Sequence, residues 1–579
     1  MKNKSSDVQF EEMSRRDLLG KSAVLMGAAV AGLALQPATA SGEINSNTAA
    51  AGLRLDTMSA KPSALPNLNP PVVQVQGGKL RGFRDGKTTV FLGVPYADAE
   101  RFELPKPVKP WEGMKSAQAW GPVCPIPNAT EPGVDEFVFP HRFWLQNEHC
   151  QVLNIWTQNL SPSAKKPVMV WMHGGGFTNG SSMEAYAYDG KNLSEFGDVV
   201  VVSVNHRLNI IGTLDLSAYG PEYAQSRYTG TADLVAALQW VHDNIANFGG
   251  DPGNVLIYGQ SGGGSKVARM LHTPAAKGLF HKAVCQSGGG EVYADMDVAK
   301  SIATQRMIAA ATLANLNLTG DQIDKLKAVP YPDLLAAGQA ALKSVAQQNG
   351  QRNLSWNPIA DDQYVTRDFC DWASTIPLMS GSVFSEFMGN LQKHVDKNAW
   401  TQAEVENQLN TAYGDKKDQV VAAFKSAFPD KKIQDVVFFA MPNTRALAAK
   451  RDAGKAPVYN YIFTYEYPVD GGMTAFHTSE IAFVFHNLSE PHVRVSTGEA
   501  PAGYALQDKV SRAWINFART GNPSQPGLEF KPYAKADPQT MVFDVVSECR
   551  NLHHDKLAAL LGNQGAFGPA APPPAPAGR

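Results

Sequence analysis

Asn254-Val255-Leu256-Ile257-Tyr258-Gly259-Gln260-Ser261-Gly262-Gly263-Gly264 decides how the rest of the chain is read. The apolar run 255–258 predicts a buried strand. It ends in Gly259-Gln260-Ser261-Gly262-Gly263, a G-x-S-x-G pattern, and Ser265-Lys266-Val267-Ala268-Arg269-Met270-Leu271 then predicts a helix. Strand, tight turn and helix together make the pattern meaningful. The serine is expected on a strained turn, its hydroxyl held out above a sheet edge, with flanking glycines letting two backbones approach closely. Taken alone, the same letters would spell a glycine-rich turn with an incidental serine, so the partners decide.

Working outward, the apolar run 167–172 predicts a central strand and opens into His173-Gly174-Gly175-Gly176-Phe177. Consecutive glycines leave their amides unscreened, so several N–H groups can converge on one oxyanion. Residues 199–204 predict a second buried strand. Leu234, Leu238, Val241, Ile245 and Phe248 carry helical spacing, and 249–253 stop that helix. Residues 281–285 predict the following strand. This alternation argues for a mostly parallel sheet with helices on both faces. Nearer the start, 72–75 and 89–92 read as short antiparallel strands around the turn Asp85-Gly86, and 151–156 as another strand. Later, the Ala-, Leu- and Gln-rich stretches 298–342 and 401–451 read as helical insertions. Residues 376–383 predict a strand ending near Glu386, and 458–465 the last strong strand, followed by a loop with His477.

A serine hydroxyl needs a base within hydrogen-bond reach, most often a histidine oriented by a carboxylate. In strand-serine-helix architectures the chain order is serine, acid, histidine. Of the histidines after Ser261 (His272, His281, His394, His477, His486, His492, His553 and His554), His477 follows the last strong strand, with His486 and His492 as near competitors. Position leaves the acid open among Asp361, Asp362, Glu386 and Glu480, the last of which reads more readily as a structural neighbour of the His477 loop.

The chain has 579 residues, 44% hydrophobic and 18% charged, with a formal net charge of -2, as in a globular protein with a sizeable core. No basic stripe supports nucleic-acid binding. Ser14-Arg15-Arg16-Asp17-Leu18-Leu19, the short apolar stretch 22–35 and Ala38-Thr39-Ala40 resemble a bacterial twin-arginine signal over 1–40, so a periplasmic or secreted location is expected, with no stable membrane insertion after cleavage. Residues 41–71 read as a linker, 72–561 as the folded domain, and 562–579, with Pro572-Pro573-Pro574, as a disordered tail. The five cysteines are not spaced as a zinc site; Cys285 is expected as a buried thiol.

From about 72 to 523 the chain resembles the type-B carboxylesterases, α/β-hydrolases that include the cholinesterases and bacterial para-nitrobenzyl esterases. The resemblance is carried by Phe91-Leu92-Gly93-Val94-Pro95-Tyr96-Ala97, Leu153-Asn154-Ile155-Trp156, His173-Gly174-Gly175-Gly176-Phe177, Asn205-His206-Arg207-Leu208, Phe248-Gly249-Gly250-Asp251-Pro252, the serine motif, His477-Thr478-Ser479-Glu480-Ile481 and Thr520-Gly521-Asn522-Pro523. It implies an α/β-hydrolase fold with helical insertions over the active site. Ser261 matches the nucleophile, His477 the base and Glu386 the acid. Gly175, Gly176 and Gly262 match the oxyanion donors, and Cys124 and Cys150 an early disulfide. The implied reaction is ester hydrolysis through an acyl-enzyme on a small to medium ester, with no metal or organic cofactor needed. A specialised ester, carbamate or lactone is the alternative substrate, and a non-catalytic binding protein on the same scaffold the alternative class.

The chain departs from the family in four places, one being that it lacks the family's usual Pro-rich insertion between Tyr96 and Arg101, which implies a different pocket rim. Gln260-Ser261-Gly262 stands where the family usually has Glu-Ser-Ala, Phe384-Ser385-Glu386-Phe387 where it has Lys-Asp-Glu-Gly, and Glu148-His149 precedes Cys150 where it has Glu-Asp. The glycine at 262 is expected to matter little, since only its amide is used.

Overall fold

The structure, a computed structural model, describes residues 69–127, 136–289, 293, 296–386, 395–439, 447, 450, 452, 454–551 and 554–561. The signal, nearly all of the linker, the tail, His394 and His553 lie outside them, as do the end of the second insertion and the side chain of His554. In chain order the strands are β1 (Val72–Val75), β2 (Gly78–Arg81), β3 (Phe83–Asp85), β4 (Thr88–Pro95), β5 (Met114–Ser116), β6 (Val152–Thr157), β7 (Lys166–Met172), β8 (Val200–Val204), β9 (Gly250–Gln260), β10 (Lys282–Gln286), β11 (Leu378–Val383), β12 (Val458–Phe463), β13 (Gln539–Phe543) and β14 (Glu548–Asn551).

Eleven of them form one sheet in the order β3-β4-β6-β8-β7-β9-β10-β11-β12-β13-β14. From β8 to β13 every pairing is parallel; the margins β3-β4-β6-β8 and β13-β14 are antiparallel. The central runs are continuously apolar because both faces are covered. In β9, Val255 and Ile257 face one core while Leu256 and Tyr258 face the other; in β7, Val168, Val170 and Met172 alternate with Met169 and Trp171 in the same way. The chain goes from β7 to β8 on one side and returns to β9 on the other. The crevice beyond the carboxyl ends of β7 and β9 is therefore a topological switch point, the place where open α/β sheets bind ligands.

The pairing expected near the start is different. β1 pairs with β2 in a separate three-stranded sheet with β5, and the Asp85-Gly86 turn joins β3 to β4. β2, β3 and β5 are three or four residues long, too short for periodicity to reveal, and apart from the buried Leu80 their side chains are exposed or half-buried.

Both insertions are helical among the described residues. Helices Val298–Asn315 and Tyr331–Gln348 share a core with Leu208, Ile210, Ile211 and Leu214. That neighbouring segment reaches the glycine loop: the Asn209 amide donates to the Phe177 carbonyl at 2.7 Å. Helices Gln402–Tyr413 and Lys417–Ala427 belong to the second insertion, and Phe424 and Phe428 of this region, with Phe439, surround the ring of Phe384, two residues before Glu386. Each insertion thus braces a loop at the end of a central strand. The disulfide expected from the family is not formed here. Cys124 and Cys150 stand here as buried free thiols in one apolar cluster, hydrogen-bonded to each other.

Candidate active site

Ser261 follows β9 with φ 58° and ψ −126°, left-handed backbone that a side-chain-bearing residue rarely adopts. The strain is held by neighbours: the Ser261 amide donates to Gln286 O at 2.8 Å, and its carbonyl accepts from Ser265 N at 3.1 Å. The flanking glycines are needed for space. A Cβ at Gly263 would lie 2.0 Å from Met172 O, and one at Gly259 2.5 Å from the same carbonyl.

Glu386 and His477 arrive on the loops that follow β11 and β12. The amide of Ser385 donates to Ala475 O at 2.8 Å, tying the two loops together one residue before Glu386 and two before His477. Glu386, 5% exposed, accepts from Val383 N through Oε1 at 3.1 Å, and its Oε2 is hydrogen-bonded to His477 Nδ1. With Nδ1 donating to that carboxylate, Nε2 is the nitrogen that can take a proton. The Gln260 amide nitrogen lies 3.4 and 3.3 Å from His477 Nδ1 and Nε2, which places the imidazole beside the residue preceding Ser261. Thr478 takes φ 84°, strained for a β-branched residue, as the chain turns sharply after the histidine.

The other candidates serve elsewhere. Asp361 accepts from the amides of Gln363, Tyr364 and Val365, and Asp362 pairs with Arg367. His486 bonds Asp508, His492 stacks on Tyr186, the Nδ1 of His272 bonds the carbonyls of Thr366 and Asp368, and His281 bonds the Val255 amide. Glu480 lies under the site as the structural neighbour it resembled in sequence. It accepts from Gln286 Nε2 at 3.2 Å, and Gln286 Oε1 accepts from Trp514 Nε1 at 3.2 Å. Gln286 therefore connects the serine's backbone to the floor below the acid, a role that no spacing in the sequence signals.

Burial, then the nearby Glu386 carboxylate, push the Glu480 carboxyl from 4.5 up to about 7. Because the folded form holds its proton more tightly, the contribution of Glu480 to stability is complete below about pH 4.5. It is lost as pH rises through about 7. Glu480→Gln removes that dependence. The melting temperature of the variant minus that of the parent is expected to rise between pH 5 and pH 8, toward about 3 kcal/mol of relative stabilisation. A difference that stays constant over that range refutes it.

Gly175 and Gly176 take φ 77° and 61° in the loop after β7. Together with Gly262 at the start of helix Gly262–Leu271, they present amides that donate to no protein acceptor among the described residues. A Cβ on Gly262 would lie 2.4 Å from the N, Cα and O of Gly176. The bare Cα at 262 thus permits the close approach of the two loops. Gly262→Ala should push the Gly176 amide away and lower kcat about 10²–10³-fold with KM nearly constant, the scale for losing an oxyanion donor. Steady-state kinetics on a chromogenic ester check this; an unchanged kcat would count against Gly176 and Gly262 as oxyanion donors.

A strained serine after a central parallel strand, an imidazole held by a carboxylate, and unpaired glycine amides at the switch point define an α/β-hydrolase. The chain belongs to the carboxylesterase family, whose model matches residues 69–557. It is 31% identical over 482 residues to the para-nitrobenzyl esterase of Bacillus subtilis, covering 82% of this chain and 94% of that one. It is 30% identical to the phenmedipham hydrolase of Pseudarthrobacter oxydans, covering 81% and 93%. Among solved structures, an esterase of Clostridium hathewayi that hydrolyses aliphatic aromatic polyesters superposes with a TM-score of 0.77 at 39% identity, covering 85% of this chain and 98% of that one. The protein is a serine carboxylic-ester hydrolase. Among the described residues no helix is long and apolar enough to cross a membrane.

Proposed function

We propose that Ser261 is the nucleophile, His477 the general base and acid, Glu386 the group that orients the imidazole, and Gly175, Gly176 and Gly262 the oxyanion donors. The observation that carries this is the Glu386–His477 hydrogen bond beside the strained Ser261 turn. His477 takes the serine proton as Oγ attacks the ester carbonyl, and the glycine amides hold the oxyanion. His477 then protonates the leaving alcohol, and water, activated by the same imidazole, releases the acid from the acyl-enzyme. The substrate is a small to medium carboxylic ester. The test is a panel of para-nitrophenyl esters of increasing acyl length run on the parent enzyme; a maximum at short to medium chains supports the reading, and no turnover of any member overturns it.

An aromatic polyester segment is a second reading. Phe137, Phe143, Trp144 and Leu145 are 53%, 53%, 44% and 72% exposed, on a stretch whose Val138 and Phe139 line a small cavity with Thr478. The Clostridium relative acts on such polymers. Release of soluble aromatic acid from a polyester film supports this reading, and its absence limits the enzyme to soluble esters.

Export by the twin-arginine route follows from the pattern at 14–19 and the Ala38-Thr39-Ala40 site, and oxidation of the adjacent Cys124 and Cys150 thiols on arrival from their contact. Such a bridge would contribute about 3–4 kcal/mol in the loop-entropy description. Cell fractionation of the chain carrying Arg15→Lys and Arg16→Lys tests the first, since retention in the cytoplasm is expected. Counting alkylatable thiols in the denatured, exported parent tests the second.

A further inference from the structure

Helix Gly262–Leu271 is buried along its whole length, and one of its buried side chains is a lysine. Lys266 is 0% exposed, and its Nζ donates to His173 O at 2.8 Å and Gly174 O at 3.3 Å. No carboxylate lies within ion-pair distance of it among the described residues. A buried ammonium without a carboxylate partner is costly, and here burial pushes it from 10.5 down to about 7. The groups facing it are Glu184, whose own carboxyl burial pushes up, the Cys124 thiol, and the imidazoles of His173 and His206, stacked at 5.2 Å and both pushed well down by burial and by the lysine. A methionine of similar length would fill the same space at less cost, so what the ammonium does for those two carbonyls needs a reason.

Peptide geometry supplies one. In a trans peptide the C=O and the N–H point in opposite directions. The carbonyl of Gly174 belongs to the same peptide as the amide of Gly175. Holding Gly174 O on Lys266 Nζ, with His173 Nδ1 at 3.0 Å from the same oxygen, turns the Gly175 N–H to the opposite side. The next peptide is held in the same manner: Gly175 O accepts from Asn179 N at 2.9 Å and Thr178 N at 3.3 Å, which turns the Gly176 N–H away from that bond. Glycine peptides have no side chain to stop them from flipping, so orientation must come from what grips the carbonyls. We propose that Lys266 is a positioning residue for the oxyanion hole, gripping the His173 and Gly174 carbonyls so that the Gly175 amide faces the reacting oxygen. This rests on the assignment of the glycine amides as oxyanion donors.

The test compares Lys266→Met with the parent and with Gly262→Ala, each as the full chain. The readouts are kcat, KM, and inhibition by an aryl trifluoromethyl ketone, whose carbonyl carbon bonds to the serine Oγ while its oxygen becomes an oxyanion. The corresponding secondary alcohol, which forms no oxyanion, is the control. Lys266→Met is expected to lower kcat and ketone affinity about 100-fold each, with KM and alcohol affinity within threefold. Should the methionine variant not fold, Lys266→Gln is read in the same way, with a 10–100-fold loss expected. A folded variant that keeps kcat and ketone affinity within threefold overturns the proposal. So does a parallel loss of ketone and alcohol affinity, which would mean general loosening of the site. If Gly262→Ala also leaves kcat and ketone affinity intact, the donor assignment itself has failed; if only Lys266→Met does, the fault lies with the lysine alone.

Discussion

Ser261→Ala is expected to lower kcat toward para-nitrophenyl acetate about 10⁶-fold, with KM and melting temperature close to those of the parent. The magnitude follows from losing the covalent step: nothing else at the elbow can form the acyl-enzyme, and the surviving amides retain only the residual acceleration over water typical of such sites. Stability is expected to hold because alanine carries the same Cβ as serine, so the φ 58° strain is unchanged. The contacts that fix the turn, to Gln286 O and from Ser265 N, are main-chain and remain. Equal rates in variant and parent, in preparations free of other esterases, would remove Ser261 from the reaction.

Glu386→Gln is expected to lower kcat about 10⁴-fold, near 5 kcal/mol of barrier, again at nearly constant KM. The amide matches the carboxylate in shape, and its oxygen can still accept from Val383 N. Its nitrogen, however, would face His477 Nδ1 as a donor. The imidazole must then accept at Nδ1 and carry its proton on Nε2, the tautomer that cannot deprotonate a serine. The developing imidazolium also loses its counter-charge. Measuring Glu480→Gln beside it separates the two buried carboxyls. A collapse of kcat in Glu480→Gln, with Glu386→Gln within tenfold of the parent, would assign the acid to residue 480.

The legible and illegible parts of this chain divide along physical lines. β7, β8 and β9 were readable because both faces are covered, which forces an uninterrupted apolar run of strand length. β2, β3 and β5 were not, because Leu80 is their one buried side chain and little selects the rest residue by residue. Ser261 was readable because an elbow needs glycines at fixed offsets, and the His-Gly-Gly-Gly loop because bare amides need glycine. Glu386 had to be borrowed from a family resemblance. A carboxylate delivered from the end of a distant strand has no local pattern: Asp361, Asp362 and Glu386 all satisfied the required order, and Glu480 stood within a helical turn of His477.

Local sequence by itself therefore determined the parallel core, the elbow and the glycine loop, since each is a short-range demand of backbone geometry on nearby residues. Only tertiary structure decided which carboxylate meets His477, that the bare Cα at 262 lets Gly176 lie against it, and that Gln286 and Lys266 grip the serine turn and the glycine loop from behind. Those are contacts between segments remote in the chain, and their distances exist only once the sheet has placed the ends of β7, β9, β11 and β12 side by side.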